Sequence, residues 1–195
     1  MAIAQHAYNV LVVTAADKFY EQLSPIFPES VTLPVTVARS INEAQRKLSN
    51  RSYDIVIINT PLNDDFGVRF AIDVSSSGSS VALLLVKGDV YDAVYDKVFE
   101  SGVFVVRKPT SAPVMEQAFD WLIATRERLR KLEKKSVSLQ EKMDEIKLVN
   151  RAKWVLITNL NMPEDVAHRY IEKQAMDRCV SRRTIAEDIL RTYKE

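Results

Sequence analysis

Short, almost unbroken apolar runs alternate with amphipathic segments through residues 1–113. The apolar runs are Tyr8–Thr14, Val31–Val37, Tyr53–Asn59, Val81–Val86 and Val103–Arg107. Runs this short and this apolar predict strands covered on both faces, as in a parallel sheet wrapped by helices. Between them, Lys18–Phe27 and Ile41–Leu48 carry helical spacing, and Ser40 is placed to cap the second. The Ser75–Ser80 run with Gly78 reads as a flexible connector, without the spacing of a phosphate-binding loop. Right-handed crossovers then favour an α/β doubly wound parallel five-stranded sheet of the flavodoxin-like kind.

The pattern changes after Pro113, because no proline or glycine occurs again until Pro163. An uninterrupted helix of that length would be on the order of 65 Å long and calls for a coiled coil. A heptad frame fits, with Leu122, Leu129, Ser136, Met143 and Asn150 at its first position and Leu132, Leu139 and Ile146 at its fourth. Such a seam predicts a parallel homodimer, and a buried Asn150 would fix its register. From Val149 onward three shorter helical pieces follow: Val149–Ile157, Glu164–Met176 and Ser181–Leu190. Asn161 is a plausible N-cap for the second and Ser181 for the third.

Charge sharpens this division. Residues 1–125 hold 10 Lys/Arg against 14 Asp/Glu, a balance of −4, whereas residues 126–195 hold 17 against 12, or +5. An acidic half joined to a basic half that meets a polyanion is the simplest reading. The one cysteine, Cys179, excludes an internal disulfide, suits a reducing cytosol and reads as a small buried filler. Neither a secretory signal nor an apolar run of the roughly 18 residues that span a bilayer is present, which predicts a cytoplasmic protein away from membranes. His6 and His168 are too isolated to form a metal site or a catalytic base.

The last stretch presents Arg151, Lys153, Arg169, Lys173, Arg178, Arg182 and Arg183. It carries Arg151-Ala152-Lys153, then Glu164-Asp165-Val166-Ala167, Gln174-Ala175-Met176 and Ile185-Ala186-Glu187. In these residues it resembles an ANTAR domain, a three-helix module that binds RNA and controls transcription antitermination. It departs from the family at Trp154, where glycine is usual, and at His168, where an aromatic is usual; Tyr170 is the aromatic nearest to taking that role. The resemblance implies a pair of short hairpins in a leader transcript as the target. The RNA-binding residues would be Arg151, Ala152, Lys153, Trp154, Arg169, Tyr170, Lys173, Arg178, Arg182 and Arg183. Aromatic and guanidinium groups are suited to unstacked loop bases, and Trp154 reads either as core or as such a platform.

The first 120 residues, with Asp54-Ile-Val-Ile-Ile-Asn59, Gly67 and Gly102…Lys108-Pro109, resemble the receiver domain of two-component response regulators. Phosphoryl transfer in a receiver needs a carboxylate nucleophile at the end of the third strand, and this chain has Asn59. Magnesium needs carboxylates at the end of the first strand, and this chain has Thr14 and Ala15, with Asp17 a turn away. The hydroxyl expected at the end of the fourth strand is replaced by Leu85, or by Val86 if the register differs by one. Lys108 alone remains. The pocket Asn59, Thr14, Ala15, Leu85 and Lys108 therefore predicts a pseudo-receiver, without a metal or other cofactor. Asp64 and Asp65 read as solvated loop carboxylates rather than a substitute metal pair.

The expected arrangement is a pseudo-receiver over 1–120, a coiled-coil helix over 121–148 and a small all-α three-helix ANTAR domain over 149–195. It predicts an RNA-binding regulator with no catalytic residues. The signal that replaces phosphorylation is a partner protein, a small ligand or abundance. A DNA-binding helix-turn-helix and a protein-interaction adaptor are the alternatives.

Overall fold

In the computed structural model, which describes residues 7–28 and 34–193, the chain divides into two compact units, Met1–Lys131 and Leu132–Glu195. His6 and the first residues of the expected Val31–Val37 strand lie outside the described residues.

The first unit alternates strands and helices: β1 Val10–Thr14, α1 Asp17–Leu23, β2 Thr36–Ala38, α2 Ile41–Asn50, β3 Ile55–Asn59, α3 Val68–Ser76, β4 Val81–Lys87, α4 Tyr91–Val98 and β5 Phe104–Lys108. The sheet is parallel throughout, in the order β2-β1-β3-β4-β5. Each apolar run is apolar on both faces because each face meets helices. Leu11, Val13, Val56, Ile58, Ala82 and Leu84 pack with residues of α2, α3 and α4. Val12, Ile55, Ile57, Leu83 and Leu85 pack on the other face with Leu23 of α1 and with Met115, Phe119 and Leu122 of a later helix. Full burial of such a side chain is worth about 1.5–3 kcal/mol, so a two-faced core of this extent dominates the unit's stability.

Local signals account for several boundaries. Ser40 caps α2 by accepting from the Glu43 N–H at 3.2 Å. Gly67 precedes α3 with φ of 86°, a conformation that a side chain would strain. The Ser75–Ser80 stretch is more ordered than a connector requires. Ser75 and Ser76 close α3, and buried Ser80 donates to the Tyr53 carbonyl at 2.7 Å. Asp64 and Asp65 are exposed loop carboxylates that also accept from backbone N–H groups. Asp64 accepts from the Ile41 and Asn42 N–H groups at 3.1 and 3.0 Å, and Asp65 accepts from the Gly67 N–H at 2.6 Å. Burial alone would raise the Asp64 carboxyl, but these N–H bonds outweigh it and hold the group below its ordinary value.

Helix α5 runs without a break from Ala112 to Leu160. Its first turns complete the core of the first unit. Here the heptad frame needs correction at two positions: Leu122 is fully buried in that core and Leu129 packs against it, so neither is available to a partner. At the same end, Asp54 is held by Arg126 at 2.9 Å and Arg130 at 3.1 Å, and it also accepts from the Asn9 N–H at 3.0 Å. Glu127 accepts from the Tyr8 hydroxyl at 2.8 Å and pairs with Arg130 at 2.7 Å. Burial, together with Glu127, pushes the Tyr8 phenol up to about 12.

In the second unit, the last turns of α5 pack with α6, Glu164–Asp177, and α7, Arg182–Thr192. Its core joins Val149, Ala152 and Leu156 to Ala167, Ile171, Ala175, Ile185, Ala186 and Ile189. Ser181 caps α7, accepting from the Thr184 N–H at 3.1 Å. Asn161 does not cap α6; Pro163 occupies that position, and Asn161 takes φ of 51° just after α5 ends. Asparagine is one of the few non-glycine residues that tolerate this conformation. Cys179 is exposed rather than buried, because it occupies the left-handed position after α6 at φ of 51°. Its N–H reaches the Met176 carbonyl at 3.1 Å and the Val180 N–H reaches that of Ala175 at 3.0 Å, which makes a Schellman turn.

Candidate functional site

Two regions carry the functional argument, one in each unit. In the first unit the strands deliver their ends to one edge. Thr14, Asn59 and Leu85 are register partners across β1, β3 and β4, and Lys87 and Lys108 are partners across β4 and β5. The Asn59 amide donates to Thr14 Oγ1 at 3.0 Å, and Lys108 Nζ donates to Asn59 Oδ1 at 2.7 Å and to the Thr60 carbonyl. Thr14 Oγ1 also accepts from the Ala16 N–H at 3.1 Å, so it serves the β1–α1 turn. The amide thus bridges a hydroxyl and an ammonium. It offers no nucleophilic oxygen, and a buried carbonyl oxygen already engaged by Lys108 cannot act as one.

Leu85 needs correction as the residue at the end of the fourth strand. It is 1% exposed, belongs to the core and faces Asn59, while β4 continues to Lys87. Lys87 therefore takes the end position where the receiver resemblance expects a hydroxyl. Burial pushes the Lys108 ammonium below its ordinary value, and the charge of Lys87 pushes it the same way. The signal was visible in the sequence as a lysine closing the apolar run. Among the described residues no group of His, Cys, Asp and Glu could hold a metal ion.

In the second unit the alanines of the family motifs are packing residues. Ala152, Ala167 and Ala186 are fully buried, which lets α5, α6 and α7 approach closely. Ala152 consequently cannot touch RNA, and its place among the binding residues is corrected. Its neighbours differ. Trp154 is 66% exposed, so it is not a core residue, and Tyr170 is 40% exposed. Asn150, Lys153, Trp154, Ile157, Met162 and Pro163 line one groove. Tyr170, Arg182 and Arg183 do not line it.

Acidic residues hold most of the cations. Lys153 pairs with Glu164 at 3.0 Å, Arg169 with Asp165 at 3.1 Å, and Arg178 with Asp188 at 2.9 Å. Arg183 pairs with Glu187 at 3.1 Å, and Arg182 reaches Glu145 at 3.3 Å and Glu172 at 3.8 Å. The exposed pairs among these are worth about 0–1 kcal/mol each, so a phosphate can displace them at little cost, whereas the Lys153 side chain is only 16% exposed. Exposed Arg151 and Lys173 form no ion pair among the described residues and offer their charge directly. His168 lies 3.3 Å from Glu172.

A five-stranded parallel sheet wrapped by helices is thus followed by a three-helix module that exposes cations and aromatics. Comparison with known proteins agrees. Residues 138–190 match the family model described as the ANTAR domain. The chain is 27% identical over 140 residues, 71% of its length and 68% of the relative's, to the transcriptional regulatory protein PdtaR of Mycobacterium tuberculosis strain CDC 1551. The same figures hold for PdtaR of strain H37Rv. The fold of the first unit is that of the signal receiver domain of an HD domain-containing protein from Pseudomonas fluorescens Pf-5. That match has a TM-score of 0.55 at 20% identity over 67% of this chain and 96% of that one. It is also that of a two-component transcriptional regulator AraC from Clostridium phytofermentans, with a TM-score of 0.57 at 9% identity over 64% and 98%. The chain thus joins a domain of receiver fold to a segment, residues 138–190, that matches the ANTAR domain.

Proposed function

We propose that this protein is an RNA-binding transcription antitermination regulator whose receiver-like domain signals without aspartate phosphorylation. The observation that carries the RNA reading is the exposed Trp154 in a groove with Lys153, on a module that also exposes Arg151 and Lys173. An indole of this exposure gains little from packing, whereas stacking of a single-stranded base on it is worth about 1–3 kcal/mol. The target is a pair of hairpins in a leader transcript, whose stabilisation prevents a terminator from forming. Asn59 carries the phosphorylation-free reading, since an amide bound to Lys108 and Thr14 replaces the nucleophile.

The protein acts as a parallel homodimer. Leu132, Leu139 and Met143 are each 53% exposed and Ile146 is 60% exposed, all on the heptad spacing. With Leu122 and Leu129 committed to the first unit's core, the pairing segment begins at Leu132 rather than at residue 121. The protein works in the cytoplasm. Among the described residues no helix is long and apolar enough to cross a membrane.

Mobility-shift titrations with paired hairpins, scrambled hairpins and a DNA duplex, across a salt series, test the RNA reading. The paired hairpins should bind most tightly. Arg151→Ala with Lys173→Ala should flatten the salt dependence by about 0.7 log units per lost phosphate contact on every RNA. Trp154→Ala should instead erase the preference for cognate loops. A preference for the duplex would transfer the protein to the helix-turn-helix class, and no binding to either nucleic acid would make it an adaptor.

A further inference from the structure

At the carboxyl edge of the receiver-like sheet the charge is inverted relative to a receiver. A receiver gathers carboxylates there around a cation. This chain places Lys87 at the end of β4 and Lys108 at the end of β5, as register partners in neighbouring parallel strands. Partnered residues of parallel strands project to the same face, and alternation puts Thr14 and Asn59 on that face too.

Carboxylates nearby do not neutralise the pair. Asp64 and Asp65 are occupied by the N–H groups of Ile41, Asn42 and Gly67. Asp17 pairs with Arg39 at 2.5 Å. Asp89, two residues after Lys87, forms no ion pair among the described residues. Lys87 is exposed and has no hydrogen-bond or ion-pair partner among them. Lys108 bonds only neutral oxygens, the Asn59 amide and the Thr60 carbonyl, which leaves its charge uncompensated. An ammonium has three protons, and the Asn59 amide nitrogen keeps one beyond the proton it gives to Thr14. Two unneutralised cations beside one free amide proton form a receptor for an anion.

We propose that this edge binds a dianionic phosphate group, held by Lys87 and Lys108 and faced by the Asn59 amide. The ligand is either free phosphate or the terminal phosphate of a small monoester. A terminal phosphate carries about −1.5 to −2 charges near neutrality and matches two ammonium groups. A phosphodiester carries one and leaves one cation unmatched, so the RNA backbone is not the ligand here. The inference rests on the reading that Asn59 is not phosphorylated. It supplies a chemical class for the signal that replaces phosphorylation, because the bound group would occupy the place of a covalent one.

The test titrates the full-length protein with inorganic phosphate and follows the phosphorus resonance. Saturable broadening is expected. Lys87→Gln, which keeps most of the aliphatic stem and touches no described partner, should weaken the affinity by about tenfold, the loss of one charge-assisted contact. Arg182→Ala with Arg183→Ala should leave it unchanged. No saturable response, an equal response in Lys87→Gln, or loss on changing the arginines would overturn the site. Competition separates the sources. Displacement by glycerol 3-phosphate more strongly than by phosphate identifies a monoester, and weaker displacement identifies free phosphate. Dimethyl phosphate displacing as well as either would overturn the dianion requirement. Mass spectrometry after incubation with acetyl phosphate and magnesium addresses the underlying reading separately. A phosphoryl adduct there would overturn that reading, whereas no adduct together with no phosphate binding would overturn the anion site alone.

Discussion

Asn59→Asp is the most direct probe of the receiver-like pocket at the scale of one residue. The new carboxylate would find Lys108 within reach, as Asn59 does at 2.7 Å. The end of β1 would still present Thr14 and Ala15, so magnesium would lack its other ligands. No adduct should appear with acetyl phosphate and magnesium in Asn59→Asp. A stoichiometric mass increase would show that the amide alone silences the pocket. Asp54 supports a different expectation, at the opposite end of β3. Its side chain is 12% exposed and pairs with both Arg126 and Arg130, so Asp54→Ala removes one ion-pair partner from each of two largely buried guanidinium groups. Breaking a buried pair so that a charge is left alone costs about 3–5 kcal/mol; Arg130 keeps Glu127 here, so chemical denaturation should register a smaller loss than that. Tyr8 adds a pH signature. Its phenol is raised in the folded chain, so the stability it gives is complete below the ordinary value of 10.0 and is lost as pH rises through about 12. Tyr8→Phe should flatten thermal stability across that window. Asn59 and Thr14 were legible because a strand end fixes which residue faces the site. The Asp54 cluster was not, because Arg126 and Arg130 lie more than 70 positions away and only the folded register brings them to it.

Elements obey different rules. The apolar runs identified the sheet because a strand buried on both faces leaves no alternation to misread. Helix ends were less legible, since αL positions depend on backbone geometry as well as residue type. Asn161 looks like an N-cap in sequence and instead takes the left-handed position after α5. Cys179 does the same after α6, and nothing in its side chain announces this. That geometry makes a prediction. A side chain at positive φ is strained relative to glycine, so Cys179→Gly should stabilise the second unit by about 0.5–1 kcal/mol. Thermal melting of the full chain should show an upward shift of its ANTAR transition, and a fall would mean that the Cys179 side chain makes a compensating contact. Ala152 shows the opposite limit of motif reading. A residue can mark a binding family because it lets helices pack, while its neighbours Arg151 and Lys153 provide the charge.

For the whole molecule, pairing and RNA recognition should be one property. If each protomer of the proposed dimer engages one hairpin of a pair, linkage makes the second contact intramolecular. Such coupling can raise affinity by about 10²–10⁴ without any new contact. The seam supplies the variant that separates the two effects. Leu132 and Leu139 are exposed in the single chain, so charged replacements there disturb no described core and act only on pairing. Leu132→Glu with Leu139→Glu would place unpaired charge inside a two-stranded seam, which such an interface does not tolerate. Sedimentation should show the parent chain as a dimer at tens of micromolar and the variant as a monomer. Its affinity for paired hairpins should fall by about a hundredfold or more, while affinity for one isolated hairpin stays within a factor of about two. An unchanged affinity for the pair in a proven monomer would mean that a single ANTAR domain reads both hairpins. A parent chain already monomeric at that concentration would remove the seam, and the exposed leucines would then need another partner.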